Sequence, residues 1–172
     1  MGVLLFLTMR VLHVVLAAAW FGAALFTTLY LGPAAAQAGP AGVQVMTALV
    51  RRGLVKYMAS IGGLTVVSGL YLFWHFTAGF DPAISASRAG MAFSIGALTG
   101  VIALGLGGSM IGASAKKLVA LGEQAAKLPE GAERAALMSA MSGLRDRMAT
   151  FGRIVSALLF ISMATMALGH YI

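Results

Sequence analysis

The chain has no cysteine, so disulfides, thiolate ligands and a cysteine nucleophile are all excluded. It is also poor in acid: five Asp and Glu stand against twelve Lys and Arg, and charged residues make up only 10% of the 172. No two carboxylates fall together in an apolar stretch, which argues against a hydrolase or transferase built on paired acids. Proline occurs four times, and none interrupts the middle of a long apolar run. That removes the broken-helix signature by which many transporters mark a midplane site.

What remains is apolar. Hydrophobic residues make up 60% of the chain and the mean hydropathy is +0.92. A soluble domain of this length has too little interior to hide so much apolar surface. The expected class is therefore all-α, a polytopic membrane four-helix bundle. Four windows are long enough to span, roughly 11–31, 57–76, 89–112 and 154–171, each with a basic residue near an end. Residues 1–19 carry Ala17-Ala18-Ala19 but no basic residue before the apolar run. The run continues to Leu31, so a membrane span is expected there rather than a cleaved leader.

Between the windows, Leu31-Gly32-Pro33 reads as the end of the first helix. Gly39-Pro40 opens an amphipathic segment in which Val43, Met46, Val50 and Leu54 recur at helical spacing. That segment is expected to run straight into the second span. Ser85 or Ser87 can cap the third helix, and Asp81-Pro82 reads as a turn former. The polar segment 116–150 carries two seams. Leu118, Leu121, Ala125 and Leu128 precede a break at Pro129-Glu130-Gly131; Leu137, Met141, Leu144 and Met148 follow it. Matched seams around one break predict that helices 3 and 4 extend beyond the membrane as an antiparallel helical hairpin. Gly96-Ala-Leu-Thr-Gly100 and Gly108-Ser-Met-Ile-Gly112 make helix 3 a candidate face for a homo-oligomer.

Charge sets the orientation. Arg51, Arg52 and Lys56 lie between helices 1 and 2, and seven basic residues with four acids lie from Lys116 to Arg153; the remaining connection holds Asp81 and Arg88. The positive-inside rule puts both long connections, the hairpin included, in the cytoplasm, and the N- and C-termini on the outer side of an inner (cytoplasmic) membrane. The net charge of +7 is then topology, and no nucleic-acid partner is implied.

With that orientation all three histidines, His13, His75 and His170, lie near the outer face, at a level with Arg10 and Arg88. Ionisable groups in apolar spans are costly and are candidate functional sites. Two imidazoles, or one imidazole with Met166, suit the axial positions of haem b or a related porphyrin, and arginines suit its propionates. Met9/His13 and Met166/His170 are each i, i+4 pairs, which suits copper instead, but Arg10 beside a cation site would repel it. The bland alternative is a scaffold or accessory subunit whose histidines are interfacial groups and bind nothing. No residue is assigned a catalytic role.

Arg10-Val-Leu-His13 with Ala19-Trp20-Phe21-Gly22, followed by Gly32-Pro33, resembles the first helix of the CopD-like family of integral membrane proteins. More distantly, it resembles that of HemJ-type protoporphyrinogen oxidases. Gly39-Pro40-Ala-Gly, Arg51-Arg52 and Ser68-Gly69-Leu-Tyr-Leu fit small relatives of that group. The CopD-like resemblance implies copper uptake at the outer face. The HemJ-type resemblance implies porphyrin binding with His13 as a ligand. A bound haem that passed electrons would need a redox partner. Here the middle helices offer only Ser60, Thr65 and Ser68, and Ser94, Thr99 and Ser109, as polar groups. That departs from the oxidase pattern and leaves binding as the expectation.

Overall fold

The structure, a computed structural model, describes residues 2–172. Its regular structure is entirely helical among those residues, and four helices are long and apolar enough to cross a membrane. Helix α1 covers Gly2–Gln37 and α2 Pro40–Arg51. Helix α3 covers Leu54–Phe76, and a single turn, α4, covers Pro82–Ser85. Helices α5 (Arg88–Ala125) and α6 (Ala132–Leu168) complete the chain.

The four long helices are neighbours in chain order around a ring. Helix α1 packs on α3 and α5 on α6, while α1–α6 and α3–α5 close the two remaining sides. Such up-and-down connectivity follows from connections too short to cross the bundle. The core gathers in the middle and towards the end that carries the hairpin: Trp20, Ala24, Ile61, Ala103, Val155 and Leu159 are buried together. Gly62 makes the crossing possible, because a Cβ there would lie 2.9 Å from both Trp20 Cε2 and Leu104 Cδ1.

The hairpin forms as its seams require. Met141 and Ala125 are buried, and the other six seam residues are half-buried between α5 and α6. Gly122 lets Met141 Cε approach. Arg51 on α2 donates to Glu123 on α5 at 2.7 Å, tying the first connection to the hairpin.

Three boundaries differ from the sequence reading. Helix α1 starts at Gly2, not near residue 11, so Arg10 sits inside the helix. An exposed arginine can reach along its own stem towards polar surroundings and need not end a helix. Helix α1 also passes through Gly32-Pro33 to Gln37. A π-helical turn at Thr27–Leu31 widens the coil ahead of Pro33, so the ring is accommodated without a break. The second helix, by contrast, does not run straight from 40 to 76. It breaks at Gly53, whose φ of +102° turns the chain between α2 and α3.

At the opposite end from the hairpin the chain makes a tight turn. Ala78, Gly79 and Phe80 all have positive φ, of 51°, 87° and 68°. Thr77 is fully buried beneath them; its hydroxyl donates to the Phe73 carbonyl and accepts from the Phe80 N–H at 3.0 Å. Asp81 Oδ1 accepts from the N–H groups of Ala83 and Ile84, capping α4, as the turn-forming Asp81-Pro82 pair requires. Ser87 caps α5 through the Gly90 N–H.

Candidate functional site

Ring contacts fix the relative heights of the helices. Phe6 meets His75 at 4.9 Å between centroids, Phe76 meets Phe93 at 5.0 Å, and Phe93 meets His170 at 5.4 Å. These rings form an aromatic girdle at the end of the bundle away from the hairpin, drawn from α1, α3, α5 and the residues just after α6. His75 also stacks parallel to Tyr71. Both His75 and His170 are exposed, as polar-tipped rings at a bundle end usually are.

His13 is placed differently. It stands against α3 at Gly69, six residues further into the bundle than His75, or about 9 Å along the axis. Its Nδ1 lies 2.9 Å from the Thr65 carbonyl oxygen. A carbonyl can only accept, so Nδ1 carries a proton, and in the tautomer with one N–H the lone pair lies on Nε2. Ser68 Oγ lies 3.4 Å from the same nitrogen and gives its own proton to the Leu64 carbonyl at 2.7 Å, so it serves His13 as a second, weaker acceptor. No described residue hydrogen-bonds Nε2.

The seat is built by three residues on one face of α3, at positions 65, 68 and 69. Thr65 and Ser68 satisfy their hydroxyls on their own helix; Ser68 Oγ lies 2.7 Å from the Leu64 carbonyl and 3.1 Å from the Thr65 carbonyl, which also receives the imidazole. Gly69 supplies the room: a Cβ would come within 2.7 Å of His13 Cε1 and 3.0 Å of Nδ1. Around this level the interior changes character. The buried side chains from Thr65 to the girdle are Thr65, Ser68, Thr77 and the small Ala92, whereas the large apolar ones lie deeper. Ser162 adds a polar link on the opposite helix pair, donating to the Gly96 carbonyl at 2.7 Å.

The remaining candidates do not join His13. Met166 packs on Gly96 of α5. His170 lies past the end of α6, so the Met166/His170 pair is not a helical i, i+4 pair; Gly169 ends the helix there, seated closely against Phe93. Met9 is half-buried on α1 and Arg10 is exposed one turn nearer the girdle than His13. Arg88 borders a groove between α5 and α6, whereas His13 faces α3. Among the described residues no three His, Asp or Glu side chains cluster as metal ligands.

Sequence reasoning singled out His13, but named Thr65 and Ser68 only as the sparse polar groups of their helix and did not see Gly69 as the complement of the ring. The signal was present as a small residue one position after Ser68 and four after Thr65, on the face that has to admit a ring. In comparisons with known proteins, no protein family, curated protein or solved structure matches the chain.

Proposed function

We propose that the protein is a membrane-embedded binder of haem b, or of a related porphyrin, with His13 Nε2 as the iron ligand. The observation that carries the reading is the hydrogen bond from His13 Nδ1 to the Thr65 carbonyl. It leaves Nε2 as the basic nitrogen and aligns the ring, which is what a second hydrogen-bonding partner does for iron- and zinc-bound imidazoles. Arg10, one turn away on the same helix and exposed, would pair with a propionate. Bound haem would supply one-electron exchange. The protein's own part would be to hold the tautomer through the Thr65 carbonyl and to leave Nε2 as the coordinating atom. The more distant helix-1 likeness to HemJ-type proteins points to the same residue.

The distribution of Lys and Arg orients the hairpin to the cytoplasm and the histidine end outwards, in an inner membrane. The site then lies within reach of the outer leaflet and of a redox partner or haem acceptor there. Copper would need Met9, His13, Met166 and His170 to converge, and they stand on opposite helix pairs, so the porphyrin reading is preferred.

The test is an absorption spectrum of the protein in detergent, oxidised and then reduced, with metal analysis of the same sample. The expected result is a Soret band that shifts and sharpens on reduction. It should disappear in His13→Ala, return in His13→Gly with added imidazole, and survive His75→Ala and His170→Ala. A colourless protein with stoichiometric copper would replace the reading with a CopD-like one. No band and no metal after both are added back would turn attention to the hairpin as a docking element.

A further inference from the structure

On the surface of the bundle between α5 and α6 runs a groove of about 350 Å³, lined by Arg88, Met91, Ala92, Ile95, Thr165, Leu168 and Ile172. Its volume is that of a small-ligand site. From Arg88 to Ile95 it follows α5 for seven residues, about 10 Å along the axis. Met91, Ile95 and Leu168 are each about half exposed, so the walls face the surroundings of the bundle rather than its core. On a helix long and apolar enough to span, those surroundings are hydrocarbon.

The polar inventory of the groove is short. The Thr165 hydroxyl is already bonded to the Ile161 and Ser162 carbonyls. Arg88 has no ion-pair partner; among the described residues the one ion pair is Arg51–Glu123, at the other end of the molecule. The nearest acid in sequence, Asp81, spends an oxygen on two backbone N–H groups. Arg88 also opens α5, where the unpaired N–H groups of the first turn favour negative charge. The site is therefore an apolar channel along the bundle axis, open sideways, with Arg88, which has no ion-pair partner, bordering one end of it.

From this we infer that the groove holds an anionic phospholipid, its phosphate on Arg88 and an acyl chain along Met91, Ile95 and Leu168. The charge at one end and the apolar channel below it match the two halves of that molecule. A zwitterionic lipid would fill the channel equally well but gain less at Arg88, because its own cation competes for the phosphate. The site is separate from His13 and does not depend on the haem reading.

Native mass spectrometry of the full chain released from nanodiscs of equal phosphatidylglycerol and phosphatidylcholine tests this. The wild type is expected to retain phosphatidylglycerol with about a fivefold preference, the order that one basic residue at a membrane surface supplies. Arg88→Gln is expected to bring the preference close to one, with Arg52→Gln unchanged. Met91→Trp, which fills the channel from its lipid-facing side, is expected to lower retention of both lipids. An undiminished preference in Arg88→Gln, or retention unaffected by Met91→Trp in a folded protein, would overturn the assignment. Displacement of the lipid by millimolar inorganic phosphate would instead identify a soluble-anion site and refute the lipid.

Discussion

Alanine at Gly69 probes the His13 seat most directly. Its Cβ would lie 2.7 Å from His13 Cε1 and 3.0 Å from Nδ1, where carbon contacts prefer about 3.5–4.0 Å. The imidazole must retreat by about 1 Å, and the 2.9 Å bond to the Thr65 carbonyl then passes the limit of a hydrogen bond. Losing an interhelical hydrogen bond in a membrane bundle costs about 0.6–1.7 kcal/mol. Overpacking at a tight contact costs about 1–3 kcal/mol, and alanine's better helix propensity returns up to about 1 kcal/mol. Gly69→Ala should therefore destabilise by about 1–4 kcal/mol, measured by reversible denaturant titration in mixed micelles. In a His13→Ala background the clash and the bond are both gone, and the same change should be neutral or slightly stabilising. The coupling between the two sites is then about 1–5 kcal/mol, overlapping and at its upper end exceeding the range for residues in contact. Additive effects, agreeing within about 0.5 kcal/mol, would show that His13 does not sit on Gly69 and would remove the basis for its tautomer.

Two further substitutions check the fold around the site. Gly53→Ala places a side chain at a φ of +102° and should cost about 1–2 kcal/mol, with Gly53→Asn costing less; equal stability of Gly53→Ala would mean that α2 and α3 are continuous after all. Arg51→Ala removes the pair with Glu123, but both side chains are more than half exposed, at 63% and 54%, so the loss should stay below about 1 kcal/mol and shrink with added salt.

The four long helices and the hairpin were legible because both depend on long-range averages. A run of twenty apolar residues, or two seams of four, tolerates local errors. Boundaries depend on single residues and were less legible. Arg10 and Pro33 each suggested an end to α1, and neither is one: Arg10 projects outwards from the helix, and the π-helical turn at Thr27–Leu31 makes room for Pro33. Gly53 ends α2 where the apolar pattern ran on without interruption, because a left-handed glycine leaves no mark on hydropathy. Arg88 was grouped with His13 by height alone, and height does not say which side of the bundle a residue faces.

The same limit bears on the histidines. In an up-and-down bundle, every residue near a terminus or near the 77–81 turn comes to one end, so three histidines at one end follow from connectivity and carry little information about a ligand. Depth and partner carry more. His75 and His170 lie among aromatic rings at the girdle, where exposed polar groups cost nothing. His13 lies about 9 Å below, in a place an apolar residue could fill, against a glycine that admits a ring and a carbonyl that holds one of its nitrogens. A histidine serving only as an interhelical tie would use Nδ1 and gain nothing from Nε2, and a serine or asparagine could make the same bond with less to bury. Nε2 makes no hydrogen bond to a described residue and is not sealed in the interior, so its lone pair is what an iron ligand would use.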